Sequence, residues 1–162
     1  FYEDNCAGPL WSLYFTHFER VEEPLYFYYQ HNASTVHRIS EERCRDRMKA
    51  EEIFLQECKK RNLLSLYEDE IEFRFTELFY TTTLFSYMYG GKNRKCKHTA
   101  LLRKKIREYY PEFEKNPYYP KMMQPEEQKL IRMHQKSNLL FFVYYVLLFG
   151  YRNVRKKIEG KK

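Results

Sequence analysis

A chain of 162 residues with 43% hydrophobic and 19% aromatic side chains is long enough to bury a core and too rich in aromatic residues to be disordered. Its formal net charge is +7, and the basic residues concentrate in two stretches, residues 92–107 and 150–162. The five glycines form no G-x-G pattern, which excludes a nucleotide-binding loop of the Rossmann or P-loop type. The four cysteines form no C-x-x-C pair and are typical of reduced cytosolic thiols, so a cytoplasmic protein is expected.

The residues before Ser40 predict one helix, one strand and one loop. The Gly8-Pro9 pair and the apolar residues that follow it favour a short helix with Pro9 in its first turn. Residues 24–30 are rich in Tyr and Phe, and Pro24 suits the start or the edge of a strand. The polar run of residues 31–39 is typical of a loop.

A helical hairpin is predicted next. Ser40 followed by two glutamates is a helix start, because its side chain can cap the first turn and the acids favour the positive end of the helix dipole. This helix is expected to extend to about Arg61. A second helix is predicted from Leu64 to Tyr89, where Gly90 and Gly91 end it. The two helices are expected to pack antiparallel.

The C-terminal half predicts two further helices separated by a linker. The first runs from Thr99 to Tyr110 and is closed by Pro111. Residues 111–125 contain four prolines and predict a rigid, extended linker at a domain boundary. A last helix of roughly thirty residues is expected after Pro125, since no helix breaker occurs before Gly150.

The predicted fold is therefore mainly α, with a short helix and strand followed by a C-terminal bundle of about four helices. Four units are expected along the chain. They are residues 1–39, a helical extension at 40–110, the linker at 111–125, and an apolar then basic helix at 126–162.

An unbroken apolar run at residues 139–149 is followed by the basic C-terminal stretch. The run is too short to span a bilayer, which needs about 20 residues. Two interpretations are open: the helix is buried against the hairpin, or it lies at a membrane interface with its cations on anionic lipids. The second predicts peripheral membrane contact through residues 139–162, at the inner face of the cell membrane. Nucleic acid is not expected as a partner, because no recognition motif is present.

Asp4 is the candidate for chemistry at the start of the chain. Glu3 and Asp4 stand just before the first predicted helix, where backbone N–H groups and the dipole stabilise an ionised carboxylate. An ionised carboxylate can act as a general base toward a hydroxyl within hydrogen-bond distance. The alternative is that Asp4 is an ordinary N-terminal helix residue.

Several strings in the first forty residues carry a resemblance to a known family. They are Phe1-Tyr2-Glu3-Asp4-Asn5, Gly8-Pro9-Leu10-Trp11, Pro24-Leu25-Tyr26-Phe27-Tyr28-Tyr29-Gln30-His31 and Ser34-Thr35-Val36-His37. Together they resemble family 2 glycosyltransferases with a GT-A fold. The resemblance implies that residues 1–39 are the C-terminal end of a GT-A catalytic domain, and that the helices after them form the C-terminal extension of a bacterial subgroup.

The resemblance also implies roles for individual residues. Asp4 corresponds to the base that deprotonates the acceptor hydroxyl in an inverting transfer, with Glu3 as its neighbour. Asn5 and Trp11 lie on the acceptor side. The loop residues are expected to approach the donor diphosphate, and they are Gln30, His31, Ser34, His37 and Arg38. His37 is also the candidate to complete the shell of a divalent metal.

The family holds a divalent metal, Mg or Mn, with an Asp-x-Asp motif in its nucleotide-binding half. The only aspartates here are Asp4, Asp46 and Asp69, so no such motif is present. We therefore expect a C-terminal fragment, inactive alone, whose metal is held mainly by the preceding half. The implied partners are a nucleotide-sugar donor and a glycan or lipid-linked acceptor, in cell-surface polysaccharide or glycan synthesis. A non-catalytic helical module that docks on a membrane is the alternative.

Overall fold

The computed structural model describes residues 2–12, 14–27, 39–89 and 95–159, and within these ranges the chain is helical without a strand. The mainly α fold is thus confirmed. The helices are α1 (Glu3–Ser12), α2 (Glu41–Lys60), α3 (Leu64–Phe75), α4 (Thr83–Tyr89), α5 (Cys96–Tyr109), α6 (Tyr119–Met122), α7 (Pro125–Lys136) and α8 (Asn138–Glu159). A π-helical segment, Thr76–Thr82, joins α3 to α4 without a break, and a 3-10 turn, Phe113–Lys115, precedes α6.

Helix α2 begins and ends as its sequence predicts. The Ser40 hydroxyl accepts a hydrogen bond from the Arg43 N–H at 3.2 Å, which satisfies one of the free donors of the first turn. At the other end, Asn62 adopts the left-handed conformation with φ of 56°, and the Leu63 N–H donates to the Cys58 carbonyl at 3.0 Å. This capping arrangement reverses the chain toward α3.

The predicted antiparallel hairpin is confirmed by contacts between its two arms. Arg47, near the start of α2, donates to the Ser86 hydroxyl near the end of α4 at 2.9 Å. Glu51, one turn further along α2, pairs with Arg74 in α3 at 3.3 Å. Because early residues of α2 meet late residues of the second arm, the arms run in opposite directions.

The second arm is continuous, as predicted, but it is not one regular α-helix. Its central turns are π-helical, and Tyr67 near its start has a non-helical φ of −136°. The wider π-helical turns place both Phe79 and Tyr80 at full burial in the core. The hydroxyl of Thr83, the first residue of α4, donates to the Leu78 carbonyl in the π-helical segment at 2.9 Å.

The prediction of a single long helix after Pro125 is wrong, because the structure has two helices there, α7 and α8. The division falls at Ser137, whose backbone is extended with φ of −152° and ψ of 113°. The turn allows both Ile131 of α7 and Phe141 of α8 to reach full burial, which no sequence pattern of helix breakers indicated. The Ser137 hydroxyl accepts from the Leu140 N–H at 3.3 Å and so caps α8. Gly150 lies inside α8 and does not end it.

Residues 111–125 are not extended as expected, since they form the 3-10 turn and α6. Phe113, Tyr119 and Met123 are buried in the same hydrophobic cluster as residues of α2 to α5 and of α7 and α8. Pro120 and Pro125 lie in the first turns of α6 and α7, where a missing N–H costs no hydrogen bond. The proposed division into domains stays a prediction.

The strand expected at residues 24–30 is not found over residues 24–27, where the chain has no regular structure. A strand needs a neighbour for its backbone hydrogen bonds, and the described ranges supply none. Leu25, Tyr26 and Phe27 are 77 to 88% exposed. Residues 28–30 and the predicted loop up to residue 38 lie outside the described residues.

A buried polar network joins α5, the π-helical segment, α7 and α8 around His134. The Tyr80 hydroxyl lies 2.6 Å from His134 Nδ1, and the Gln135 side-chain amide donates to that hydroxyl at 2.7 Å. His134 Nε2 lies 3.0 Å from both the Thr99 carbonyl and Asn138 Oδ1. Because the carbonyl can only accept, Nε2 carries the proton and Nδ1 accepts from Tyr80. Burial lowers the pKa of His134 to about 4, so the imidazole is neutral.

Replacing His134 should weaken the fold and change its response to acid. His134→Leu leaves the proton of the Tyr80 hydroxyl without an acceptor and removes the hydrogen bond to the Thr99 carbonyl, at a cost of about 1–3 kcal/mol for the unpaired donor. In the native protein the unfolded chain binds a proton near pH 6.5 and the folded chain only near pH 4, so stability falls as pH drops between these values.

Urea unfolding followed by circular dichroism at pH 4.5, 5.5 and 7 measures both effects. We expect the destabilisation by His134→Leu to be largest at pH 7 and to shrink toward pH 4.5. His17→Leu is the control, because His17 is exposed. A variant as stable as the native protein at pH 7 contradicts the network.

Candidate active site around α1

Asp4 is the second residue of α1, and its side chain is exposed. Its Oδ1 accepts a hydrogen bond from the Asn5 N–H at 2.9 Å. The carboxylate therefore lies in the first turn of a helix, where free N–H groups and the dipole favour negative charge. The helix begins at Glu3, earlier than predicted, so Pro9 is inside it and not in its first turn. The side chain of Glu3 lies outside the described part of the chain.

An interior proline would normally weaken α1, but Arg74 compensates for it. Pro9 has no N–H, so the carbonyl of Asn5, four residues earlier, loses its helical donor. The guanidinium of Arg74, on α3, donates to that carbonyl. Arg74 also pairs with Glu51 at 3.3 Å and lies 4.7 Å above the ring of Phe54. One cation thus connects α1 with α2 and α3.

A second arginine, Arg47, fixes Tyr2, the residue before the Glu3-Asp4 pair. Tyr2 has a positive φ of 65°, a backbone conformation that residues other than glycine rarely adopt. Its hydroxyl accepts from Arg47 Nη2 at 2.8 Å, and the same guanidinium lies 4.5 Å from the centre of its ring. Strained backbone persists where surrounding contacts over-determine it, and such positions cluster at functional sites.

Glu51 is a fully buried carboxylate near both Arg74 and Arg47. Its Oε1 pairs with Arg74, while its Oε2 is buried and has no hydrogen-bond partner among the described residues. Burial raises the pKa of Glu51 to about 7, although the charges of Arg74 and Arg47 act in the opposite direction. Near neutral pH the side chain is therefore divided between its charged and neutral forms.

A groove of about 460 Å³ lies between α1 and α2. Its lining residues are Tyr2, Cys6, Ala7, Asp46, Lys49, Ala50 and Ile53. Asp4 does not line it, because Asp4 lies two positions from Cys6 and therefore on nearly the opposite side of α1. The carboxylate of Asp4 instead points away from the helical body into solvent.

The other predicted site residues are placed only in part. Asn5 is half-buried, and its backbone carbonyl is the acceptor of Arg74. Trp11, near the end of α1, is 65% exposed. The predicted donor-binding residues lie outside the described residues, and they are Gln30, His31, Ser34, His37 and Arg38. Their approach to Asp4 stays a prediction.

The residues that the structure describes do not form a metal site. No three side chains among their His, Cys, Asp and Glu come together in a way that could hold a metal ion. His37, the predicted ligand in this chain, is outside the described residues.

The chain following α1 exposes an unusual amount of apolar surface. All of residues 14–27 are exposed. The large apolar side chains among them are Tyr14, Phe15, Phe18, Val21, Leu25, Tyr26 and Phe27, each 57 to 88% exposed. Exposed apolar side chains in such number are typical of a region that contacts another protein surface, a membrane or a ligand.

Sequence reasoning missed Glu51 and Arg74, although one signal was available. Glu51 lies on the apolar stripe of α2, three residues after Met48 and four before Leu55, where a charged side chain is out of place. A buried carboxylate in such a stripe predicts a cationic partner on the facing helix. Which cation fills that role depends on tertiary packing.

No protein-family model, curated protein or solved structure matches this chain. The resemblance to family 2 glycosyltransferases therefore rests on the motifs of the first forty residues.

Replacing Glu51 should remove its contribution to the pH dependence of folding stability. The unfolded chain loses the Glu51 proton near pH 4.5 and the folded chain only near pH 7, so this group makes the protein less stable as pH rises through that window. The full effect is up to about 3 kcal/mol. In Glu51→Gln it should vanish, so the variant gains stability relative to the native protein between pH 4.5 and 8.

Denaturant unfolding of both proteins across this range measures the difference directly. Glu42→Gln is the matched control, because Glu42 is an exposed carboxylate of the same helix. If the Glu51→Gln and native stabilities differ by the same amount at pH 4.5 and pH 8, folding does not raise the pKa of Glu51.

Proposed function

We propose that this chain is the C-terminal part of an inverting family 2 glycosyltransferase, which transfers a sugar from a nucleotide-sugar donor to a hydroxyl acceptor. The proposed setting is cell-surface polysaccharide or glycan synthesis, with a glycan or lipid-linked acceptor. The observation that carries the proposal is the exposed carboxylate of Asp4, in the first turn of a helix fixed to the body by Arg74. Its motif, Phe1-Tyr2-Glu3-Asp4-Asn5, is the one that resembles the family.

In the proposed reaction Asp4 takes the proton of the acceptor hydroxyl as its oxygen attacks the anomeric carbon of the donor sugar. The new glycosidic bond forms while the bond from that carbon to the diphosphate oxygen breaks. The nucleoside diphosphate leaves with the electron pair, and a single displacement inverts the configuration. Asp4 Oδ1 is occupied by the Asn5 N–H, so Oδ2 is the proposed proton acceptor.

The contacts of Arg74 and Arg47 with the start of α1 support this role, because a general base acts only within hydrogen-bond distance of its substrate. Arg74 removes the weakness caused by Pro9, and Arg47 fixes Tyr2 immediately before the Glu3-Asp4 pair. Both cations are positioning residues in the proposal, since neither is proposed to touch substrate. Rigid support of this kind keeps a catalytic group in its productive orientation.

The exposed apolar segment at residues 14–27 is proposed to pack against the nucleotide-binding half of the same enzyme. That half is also proposed to hold the divalent metal and to close the surface facing Asp4. The predicted loop at residues 31–39 would then lie between the two halves, together with Gln30 just before it. The residues proposed to reach the donor diphosphate there are Gln30, His31, Ser34, His37 and Arg38.

In an enzyme that carries both halves, Asp4→Asn should lower kcat by about 10²- to 10⁴-fold, the typical contribution of a general base. Donor binding should stay within about twofold, because the amide keeps the size of the side chain and the proposed base touches only the acceptor. Release of nucleoside diphosphate measures turnover, and calorimetry measures donor affinity. Asp69→Asn, at an exposed aspartate of α3, is the control. Undiminished turnover in Asp4→Asn removes this residue from the role.

A second candidate function is a non-catalytic helical module that docks on a membrane. One observation favours it, the row of exposed apolar side chains along α8 described below. Two results together would favour this candidate over the first. They are membrane binding by the chain, and undiminished turnover when Asp4→Asn is introduced into the enzyme that carries both halves.

A further inference from the structure

One face of α8 exposes a continuous row of apolar side chains. The row comprises Leu140, Val143, Leu147, Tyr151, Val154 and Ile158, which are 47 to 67% exposed. Each residue follows the previous one by three or four positions, the spacing that keeps side chains on one face of a helix. Leu139, 66% exposed, lies beside the start of the row.

The spacing repeats every 11 residues, so Leu140 corresponds to Tyr151, Val143 to Val154 and Leu147 to Ile158. Such a repeat has 3.67 residues per turn, close to the 3.6 of a straight α-helix. The row therefore stays on one side of α8 without supercoiling, over a length of about 27 Å. A straight apolar row is suited to a flat surface.

Folding of the body does not require this row. Phe141 and Tyr145, on the other side of α8, are buried and make its contacts with the core. Beyond Phe149 every described residue of α8 is exposed, so its last turns extend past the packed core. Apolar residues on the outer face thus have another purpose than core packing.

Basic residues flank the row near its C-terminal end. Arg155 follows Tyr151 by four positions and Lys157 follows Val154 by three, which places one cation on each side of the row. Residues 150–162 contain six Lys or Arg and one Glu, a net charge of +5. A second copy of this chain would bring like charges together at the row, whereas an anionic surface complements them.

We propose that α8 lies along the surface of an anionic lipid bilayer. The row enters the boundary between headgroups and acyl chains, and Arg155 and Lys157 contact lipid phosphates. No helix in the described part of the chain is long and apolar enough to cross a membrane, and this proposal has α8 lie in the plane of the interface. It goes beyond the proposed sugar transfer and does not depend on it.

Co-sedimentation of the whole chain with vesicles tests the proposal. We expect at least tenfold stronger binding to vesicles of phosphatidylcholine and phosphatidylglycerol at 7:3 than to phosphatidylcholine alone. The double variant Leu147→Glu/Val154→Glu, at positions 67% and 58% exposed, should fold normally and lose at least tenfold in binding. Leu66→Glu/Leu101→Glu, at exposed positions on other helices, is the matched control and should bind within twofold of the native chain.

A second pair of variants tests the charges. Arg155→Gln/Lys157→Gln should weaken binding to the anionic vesicles at least threefold, and the loss should shrink as salt is raised. Lys59→Gln/Lys129→Gln, at exposed lysines of α2 and α7, is the control.

Three results would overturn the proposal. They are absence of vesicle binding by the native chain, equal loss of binding in the row variant and its control, and concentration-dependent dimerisation that the row variant abolishes while vesicle binding persists. Circular dichroism verifies that each variant is folded. The readout contains no sugar transfer, so its failure leaves the test of Asp4 unaffected.

Discussion

The guanidinium of Arg74 is the contact on which the candidate site depends. It donates to the Asn5 carbonyl that Pro9 leaves without a helical partner, and it pairs with the buried carboxylate of Glu51. A buried carboxylate without such a cation is costly, and so is a carbonyl without a donor. One side chain therefore solves both problems and in doing so fixes α1 on the helical body.

Two buried titratable groups give the fold opposite responses to pH. Glu51 retains its proton more strongly in the folded chain, whereas His134 binds its proton more weakly there. The first makes folding less favourable as pH rises and the second makes it more favourable, over overlapping ranges. Their contributions offset one another, so the weakly acidic range changes stability less than either group would alone.

The two ends of the described chain share a property that the core does not explain. Residues 14–27 expose large aromatic side chains beside α1, and α8 exposes its apolar row on the side away from the core. The core itself is complete between them, from Cys44 to Tyr145. We infer that the described chain presents two apolar surfaces, one in the segment that follows α1 and one along α8 with basic flanks.

Local signals in the sequence determined much of the secondary structure. Ser40 with the two glutamates after it predicted the start of α2, because capping and the helix dipole act within one turn. The helical character of the chain and the antiparallel hairpin also followed from local patterns. The family resemblance came from the short motifs around Asp4, which need no knowledge of the fold.

Only the tertiary structure decided the features that depend on distant residues. The break at Ser137 lets Ile131 and Phe141 both enter the core, and the prolines of residues 111–125 proved compatible with helical turns once Phe113 and Tyr119 were buried. The pairing of Glu51 with Arg74 joins residues 23 positions apart. Sequence periodicity tells which side chains share a face of one helix, but which faces meet, and which apolar face stays uncovered, is set by packing between helices.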